Sequence, residues 1–226
     1  MSSQEKDILQ YYNELAPDYD DNRFGNSYGQ FIHQQEWKLL ERWCPPSNDT
    51  VLDLGCGTGR LLKFATHGLD LSPEMITMAS EKHPEKILRV GSAFETGFEE
   101  AQFDSIYCFH VLMHLDESQS RSLFAEAKRI IKRGGQLVID FPSLKRRQLL
   151  GYQNRGWHGA NAFSLDSFRQ LLGNDWTLQS YTGLMALPVH RLPKILRAPM
   201  RPIDSLLCQS PWREYASYLA VLLQKS

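Results

Sequence analysis

The sequence predicts an α/β fold built on a parallel sheet, and three observations carry that expectation. The stretch Val51-Leu52-Asp53-Leu54-Gly55-Cys56-Gly57-Thr58-Gly59 is an apolar strand that ends on an acid and enters a turn with glycine at every second position. Further on, Gly68-Leu69-Asp70-Leu71-Ser72-Pro73 ends a second apolar segment on another carboxylate. Beyond it the apolar spacing turns helical, with Leu123, Phe124, Ala127, Ile130 and Ile131 on one stripe before the strand-like Gln136 to Ile139. Strands alternating with such stripes read as crossover units.

Alternate glycines let the chain turn sharply and approach a ligand without interference from a Cβ. The residues after them offer free backbone N–H donors, which suit a carboxylate or a phosphate. Strands ending this way put those donors and two acids at the carboxyl edge of the sheet, where nucleoside cofactors bind. Gly55, Gly57 and Gly59, followed by Arg60 and Leu61, depart from the G-x-G-x-x-G spacing of dinucleotide sites.

In chain order, Ile8, Tyr12 and Leu15 mark an N-terminal helix that Pro17 stops, and a loop follows from Tyr19 to Gly25. A second helix is expected near 30–43, with Ile32, Leu39, Leu40 and Trp43 inward, before the breaker Pro45-Pro46-Ser47-Asn48-Asp49. The first crossover, Arg60 to Thr66, is shorter than the dozen or so residues such connections use, so its helix is one turn or missing. Ser72 caps the next helix, with Pro73 at its first position and Glu74 favourable to the dipole. Asp116 caps the striped helix, and Ser164 caps another with Leu165, Phe168, Leu171 and Leu172. Trp176 to Tyr181 and Tyr215 to Leu223 read as the last two strands.

The chain's 226 residues suit one domain, 1–226, with a helical cover (1–46), a cofactor-binding core (47–141) and an acceptor-side half (142–226). Formal charge is −1, so no global field recruits nucleic acid or membrane. No apolar run reaches the roughly 18 residues of a membrane span, the first residues lack a signal-peptide pattern, and the four cysteines are scattered. Those features lead us to expect a cytoplasmic protein without a metal site. Between Pro142 and Phe163 lie Lys145-Arg146-Arg147 and the aromatic residues Tyr152, Trp157, His158 and Phe163. Within 187–213, His190, Arg191, Lys194, Arg197 and Arg201 mix with Leu192, Ile195, Leu196 and Met200. Proline at 188, 193, 199 and 202 argues against a long regular helix there. Such an insertion fits a lid, a peripheral membrane contact, a subunit contact or a solvated excursion.

Asp53, Gly55, Gly57 and Gly59 resemble motif I of class I S-adenosylmethionine-dependent methyltransferases, D/E-x-G-x-G-x-G. The resemblance continues through Asp70, Val90-Gly91-Ser92-Ala93-Phe94, Phe103 to Phe109, His110-Val111-Leu112-Met113-His114-Leu115 and Gly134-Gly135. Tyr11 to Asp20 is similar to the Y/F-x-x-x-A-x-x-Y-D signature of the ubiquinone/menaquinone-biosynthesis-like, type 11 branch. It implies a Rossmann-like seven-stranded sheet in the order 3-2-1-4-5-7-6 with an antiparallel last strand. It implies that S-adenosylmethionine is held by Tyr19, Asp53, the Gly55-Cys56-Gly57 turn, Gly59, Asp70, Leu71, Ser92, Ala93, Phe94 and Phe109. Arg23 is a candidate partner of the methionine carboxylate, since a guanidinium suits bidentate binding. Ser92 stands where the branch has Asp, which puts a side-chain contact to the adenine amino group in doubt.

A sulfonium methyl is already activated, so transfer needs an acceptor held about 3–3.5 Å away in a dry pocket. His110 and His114 follow the fourth strand, where an acceptor would lie, and an imidazole there could take a proton or simply orient the segment. His33 and His158 are remoter candidates. Phe109-His110-Val111-Leu112 departs from the N/D/S-P-P-Y/F/W of amide and DNA-amine methylation, and no Pro-Cys or acidic metal cluster appears. The expected reaction is methyl transfer to oxygen or an activated carbon of a small organic acceptor, of quinol, phenol or lipid-like type. A tRNA or other macromolecular methyltransferase, and a non-catalytic S-adenosylmethionine-binding module, stand as alternatives.

Overall fold

In the computed structural model, which describes residues 3–45, 49–152 and 161–226, the sheet has seven strands in the order β3-β2-β1-β4-β5-β7-β6. The strands are β1 Val51–Leu54, β2 His67–Asp70, β3 Ile87–Val90, β4 Phe103–Cys108, β5 Ile131–Pro142, β6 Trp176–Leu184 and β7 Tyr218–Lys225. The first five run parallel, while β7 pairs antiparallel with both β5 and β6, the arrangement expected. Both faces are covered. Leu52, Ile106, Leu137 and Val221 pack on one side beneath α5 (Glu117–Ile130) and α7 (Leu165–Leu172). Val51, Tyr107, Val138 and Ala220 pack on the other beneath α3 (Ser27–Trp43). A sheet buried on both faces is why these strands read as continuous apolar runs.

Local chemistry sets the helix starts. Ser72 Oγ accepts the Met75 amide at 3.1 Å to open α4 (Pro73–Lys82). Asp116 and Gln119 form a reciprocal cap on α5, as Ser164 and Ser167 do on α7. The first crossover is reduced to a 3₁₀ turn, Leu62–Phe64. The space is closed from α3, whose Trp37 ring meets Phe64 at 4.8 Å between centroids.

Four expectations about these elements need correction. The segment after α1 (Ser3–Leu15) and the 3₁₀ turn Ala16–Asp18 is helical, α2 (Tyr19–Phe24), where a loop was expected. Asp20 and Asp21 in its first turn favour the helix dipole, and Asp20 is held from outside by the Thr58 hydroxyl at 2.6 Å and by Lys82.

The proline-rich insertion forms α8 (Lys194–Gln209), running through Pro199 and Pro202. It tolerates them because both prolines, and the residues four back whose carbonyls they leave unbonded, Ile195 and Ala198, are solvent-exposed. Its inner face is fixed independently, with Asp204 fully buried and accepting from Gln35 and from the Leu187 amide. Before α8, α6 (Leu144–Leu149) leaves β5, and β6 runs on to Leu184, further than expected. Finally, β7 begins at Tyr218, since Pro211–Tyr215 is a 3₁₀ turn. Trp157, His158 and the Pro46-Ser47-Asn48 breaker lie outside the described residues.

Candidate active site

The carboxyl ends of β1 to β4 open into a cavity with about 870 Å³ of empty space, its mouth included. The glycine turn forms one wall. Gly55 has φ +82° and packs so closely that a Cβ would sit 2.5 Å from Val111 Cγ2, whereas a Cβ on Gly57 (φ +52°) would meet nothing nearer than Tyr19 Cε1 at 4.0 Å. Gly55 is therefore glycine for packing. Gly57 leaves a gap facing the cavity.

Asp70 sits beside that gap. Its Oδ2 accepts the Gly57 amide at 2.8 Å and its Oδ1 the Ser72 amide at 2.9 Å, so the acid at the end of β2 ties the turn to the start of α4. Burial pushes its pKa up, and the backbone donors pull part of that back. Leu71, Ser92, Ala93, Phe94 and Phe109 line the walls on either side. The roof is α1, through Ile8, Leu9 and Tyr12, with Tyr19 behind it. Burial raises the Tyr19 pKa to about 12, so its hydroxyl stays neutral.

Asp53, Cys56, Gly59 and Arg23 lie outside this lining. Asp53 is buried on the α3 side of the sheet beside Tyr107, and burial pushes its carboxyl up to about 8, so at neutral pH it is largely uncharged. Cys56 is packed into the core beneath α3, with its thiol pushed up by burial. A Cβ on Gly59 would strike His83 and Leu62 within 3 Å, a packing constraint. Arg23 donates to the Tyr11 hydroxyl at 2.5 Å. His33 meets Arg60 at 2.8 Å, away from the cavity. The insertion 187–213 supplies none of the lining residues and packs instead against α3, through Val189 beside Phe31 and Ile32, so it is not a lid over this cavity.

His110 and His114 both face the cavity, in different settings. His110 adopts a left-handed backbone, φ +60°, rare for a non-glycine residue and held here by its amide donating to Asp140 Oδ1 at 2.6 Å. Its Nε2 lies 2.6 Å from Glu36 Oε1 and its Nδ1 3.3 Å from Asp140 Oδ2. Glu36, fully buried on α3, is paired on its other oxygen with Arg60 at 2.6 Å. Burial alone would raise the Glu36 pKa, but Arg60 and His110 hold it down at about 2. Burial likewise opposes a charge on His110, and Asp140 and Glu36 outweigh it and raise its pKa. For Asp140 burial wins, leaving it at about 6. The cluster groups two acids, Glu36 and Asp140, with Arg60 and with His110, whose protonated form both acids favour, at the cavity wall. His114 is buried, its Nε2 2.9 Å from the Tyr12 hydroxyl. That quartet went unread in the sequence because Glu36 and Asp140 carry no local motif; Tyr12 was legible in the helical stripe and in the Tyr11 to Asp20 signature, but neither pairs it with His114.

Residues 52–139 match the family described as Methyltransferase domain. Over that stretch the chain is similar to methyltransferases of this family. Solved structures of the same fold hold S-adenosylhomocysteine or S-adenosylmethionine. The turn and acid fit that group, since Gly57 leaves room where any Cβ would intrude and Asp70 is fixed beside it. Among relatives, the methyltransferase domain is 31% identical to a demethylmenaquinone methyltransferase of Thermotoga maritima, over 59% of this chain and 61% of that protein. The same fold is seen in a putative Haloferax volcanii methyltransferase in complex with its Trm112 activator (TM-score 0.71, 18% identity, 95% of this chain and 97% of that chain). It is seen again in magnesium protoporphyrin IX methyltransferase of Synechocystis with bound SAH (TM-score 0.68, 18% identity, 99% of this chain and 100% of that chain). The chain spans about half the length of the first curated relatives it matches.

Proposed function

We propose that this chain methylates a small organic acceptor, at oxygen or an activated carbon, and that the acceptor presents negative charge at or beside the attacked position. The observation that carries this reading is the placement of His110 on the cavity wall between Asp140 and Glu36, which favour its protonated form against the opposing effect of burial. When bound, S-adenosylmethionine supplies a methyl group already activated on a sulfonium. The chain's work is then to bind, orient and exclude water.

Asp70 is the residue to accept hydrogen bonds from the ribose hydroxyls, with Leu71 against one adenine face and Ser92-Ala93-Phe94 at its edge. The Gly55–Gly57 turn, Tyr19 and Phe109 would border the methionine end. His110, held between Glu36 and Asp140, is poorly suited to act as a base; its ring presents the positive end of that cluster to a phenolate, enolate or carboxylate. Where the acceptor arrives protonated, the Tyr12–His114 pair is the group placed to take the proton. The α1 roof, with Ile8 and Leu9, keeps water from the reacting atoms. Apolar walls and an apolar roof support a small, partly hydrophobic acceptor over a macromolecule.

The test is product formation from labelled S-adenosylmethionine with a panel of phenols, quinols and enolisable acids, matched against neutral amines and tRNA. Turnover confined to the acidic acceptors supports the proposal. Turnover on tRNA alone, or cofactor binding with no turnover on any acceptor, contradicts it.

A further inference from the structure

The outer face of α8 is apolar although it faces solvent. Ile195 is 83% exposed, Leu206 71%, Leu196 47% and Ile203 43%, and Trp212 beyond the helix is 66% exposed. At 100° per residue, Ile195, Leu206, Pro199, Ile203 and Leu196 fall within about one third of the helix circumference. Pro199 and Pro202 lie on this outer side too, and both are exposed. The inner face is already engaged, with Asp204 and Cys208 buried and Arg201 over the Phe31 ring at 5.4 Å. Among the described residues a stripe this continuous has no partner.

Its surroundings say what covers it. No carboxylate is exposed on α8: its one acid, Asp204, is buried and hydrogen-bonded. Arg191 and Lys194 stand exposed at the N-terminal end, while Arg197 and Arg201 turn to the inner side of the helix. Along its other flank, Ser205 and Gln209 border a cleft against α3 and β6 that holds Lys38, Arg42 and Arg213 and no acid among its lining residues. Among the described residues Lys38 and Arg42 have no ion-pair partner. Arg213 is laid flat on Tyr181, its guanidinium carbon 4.1 Å from the ring centroid, with its Nε unbonded. In a chain of formal charge −1, this cleft is lined by cations and by no acid.

From this juxtaposition we propose that α8 and Trp212 form a membrane-docking surface, lying in the interface of an anionic lipid bilayer with the cations of the flanking cleft against the headgroups. A helix with one apolar face and cations along its borders lies in the interface plane, and its binding adds apolar burial to attraction for anionic lipid. An exposed tryptophan at the rim suits the headgroup depth. No helix among the described residues is long and apolar enough to cross a membrane, so the contact is peripheral.

Co-sedimentation of the full chain with vesicles of phosphatidylcholine alone, and of phosphatidylcholine with phosphatidylglycerol, tests the proposal. Binding is expected to the anionic vesicles, falling as salt is raised. Ile195→Ser and Leu206→Ser should each weaken it about tenfold or more, and Lys38→Gln and Arg42→Gln about fivefold each. These side chains lie outside the methyltransferase cavity, so each variant should keep the parent's affinity for S-adenosylmethionine, which establishes folding. Failure to bind either vesicle overturns the proposal, as does binding indifferent to phosphatidylglycerol. So does concentration-dependent dimerisation abolished by Ile195→Ser, which would assign the stripe to a second copy of the chain.

Discussion

Glu36 Oε1 lies 2.6 Å from His110 Nε2, joining the interior of α3 to the residue that follows β4 across 74 positions of sequence. The contact makes an element outside the nucleotide-binding core responsible for the charge on the cavity wall. It also makes the cavity's electrostatics depend on pH in a defined way.

Glu36 has its pKa depressed from 4.5 to about 2, so its contribution to stability is present above about 4.5 and lost as pH falls through 2. His110 is raised from 6.5, so its contribution is complete below about 6.5 and lost as pH rises through the folded-state value. The stability difference between the parent and Glu36→Gln should peak between those limits, at about 3–5 kcal/mol for a buried pair broken on one side. Urea unfolding of both proteins across pH would show it. A difference independent of pH would refute the assignment.

Asp53 behaves in the opposite sense. Its folded pKa of about 8 exceeds the usual 3.8, so the folded chain keeps a proton that the unfolded chain releases. Stability should fall as pH rises across that window. Asp53→Asn, which keeps the shape without the charge, should flatten the decline and be the more stable protein at pH 8. Parallel pH profiles would count against the buried, uncharged carboxyl.

Gly55→Ala and Gly57→Ala should separate packing from binding. At Gly55 the added methyl sits 2.5 Å from Val111 with φ at +82°, and a loss of about 1–3 kcal/mol of stability follows. At Gly57 the nearest atom is Tyr19 Cε1 at 4.0 Å, an ordinary contact, so the cost is the backbone conformation alone, about 1 kcal/mol, while affinity for S-adenosylmethionine drops. Thermal unfolding with and without cofactor distinguishes them. Equal behaviour of the two variants would disprove the gap at Gly57.

Tyr12→Phe removes the hydroxyl 2.9 Å from His114 Nε2. With a protonated acceptor kcat should fall by about 10²-fold or more, with little change in cofactor affinity. An unchanged kcat would remove the pair from proton transfer.

Much of this fold is written locally. The strand ends at Asp53 and Asp70 and the caps at Ser72, Asp116 and Ser164 are each set by neighbouring residues, and each was legible. The helix through Pro199 and Pro202 was not, because what sustains it is Asp204 bonded to Gln35 on a distant helix. The same holds for α2, stabilised from Thr58 and Lys82. In the site, Asp70 could be read from its place after an apolar strand. Asp53, equally well placed in sequence, points to the other face of the sheet, because alternation along β1 puts it with Val51 rather than with Leu52 and Leu54. Glu36 and Asp140 acquire meaning only once the sheet has formed.

The central claim is that a nucleoside cofactor is gripped at the end of β2 by Asp70. Isothermal titration of S-adenosylmethionine into the parent and Asp70→Ala tests it most directly, with NAD as the control ligand. The parent should bind S-adenosylmethionine and not NAD, and the variant should lose about 1.5–3 kcal/mol for each charge-assisted hydrogen bond removed. Equal affinity in the two proteins, or binding of NAD in place of S-adenosylmethionine, would contradict it.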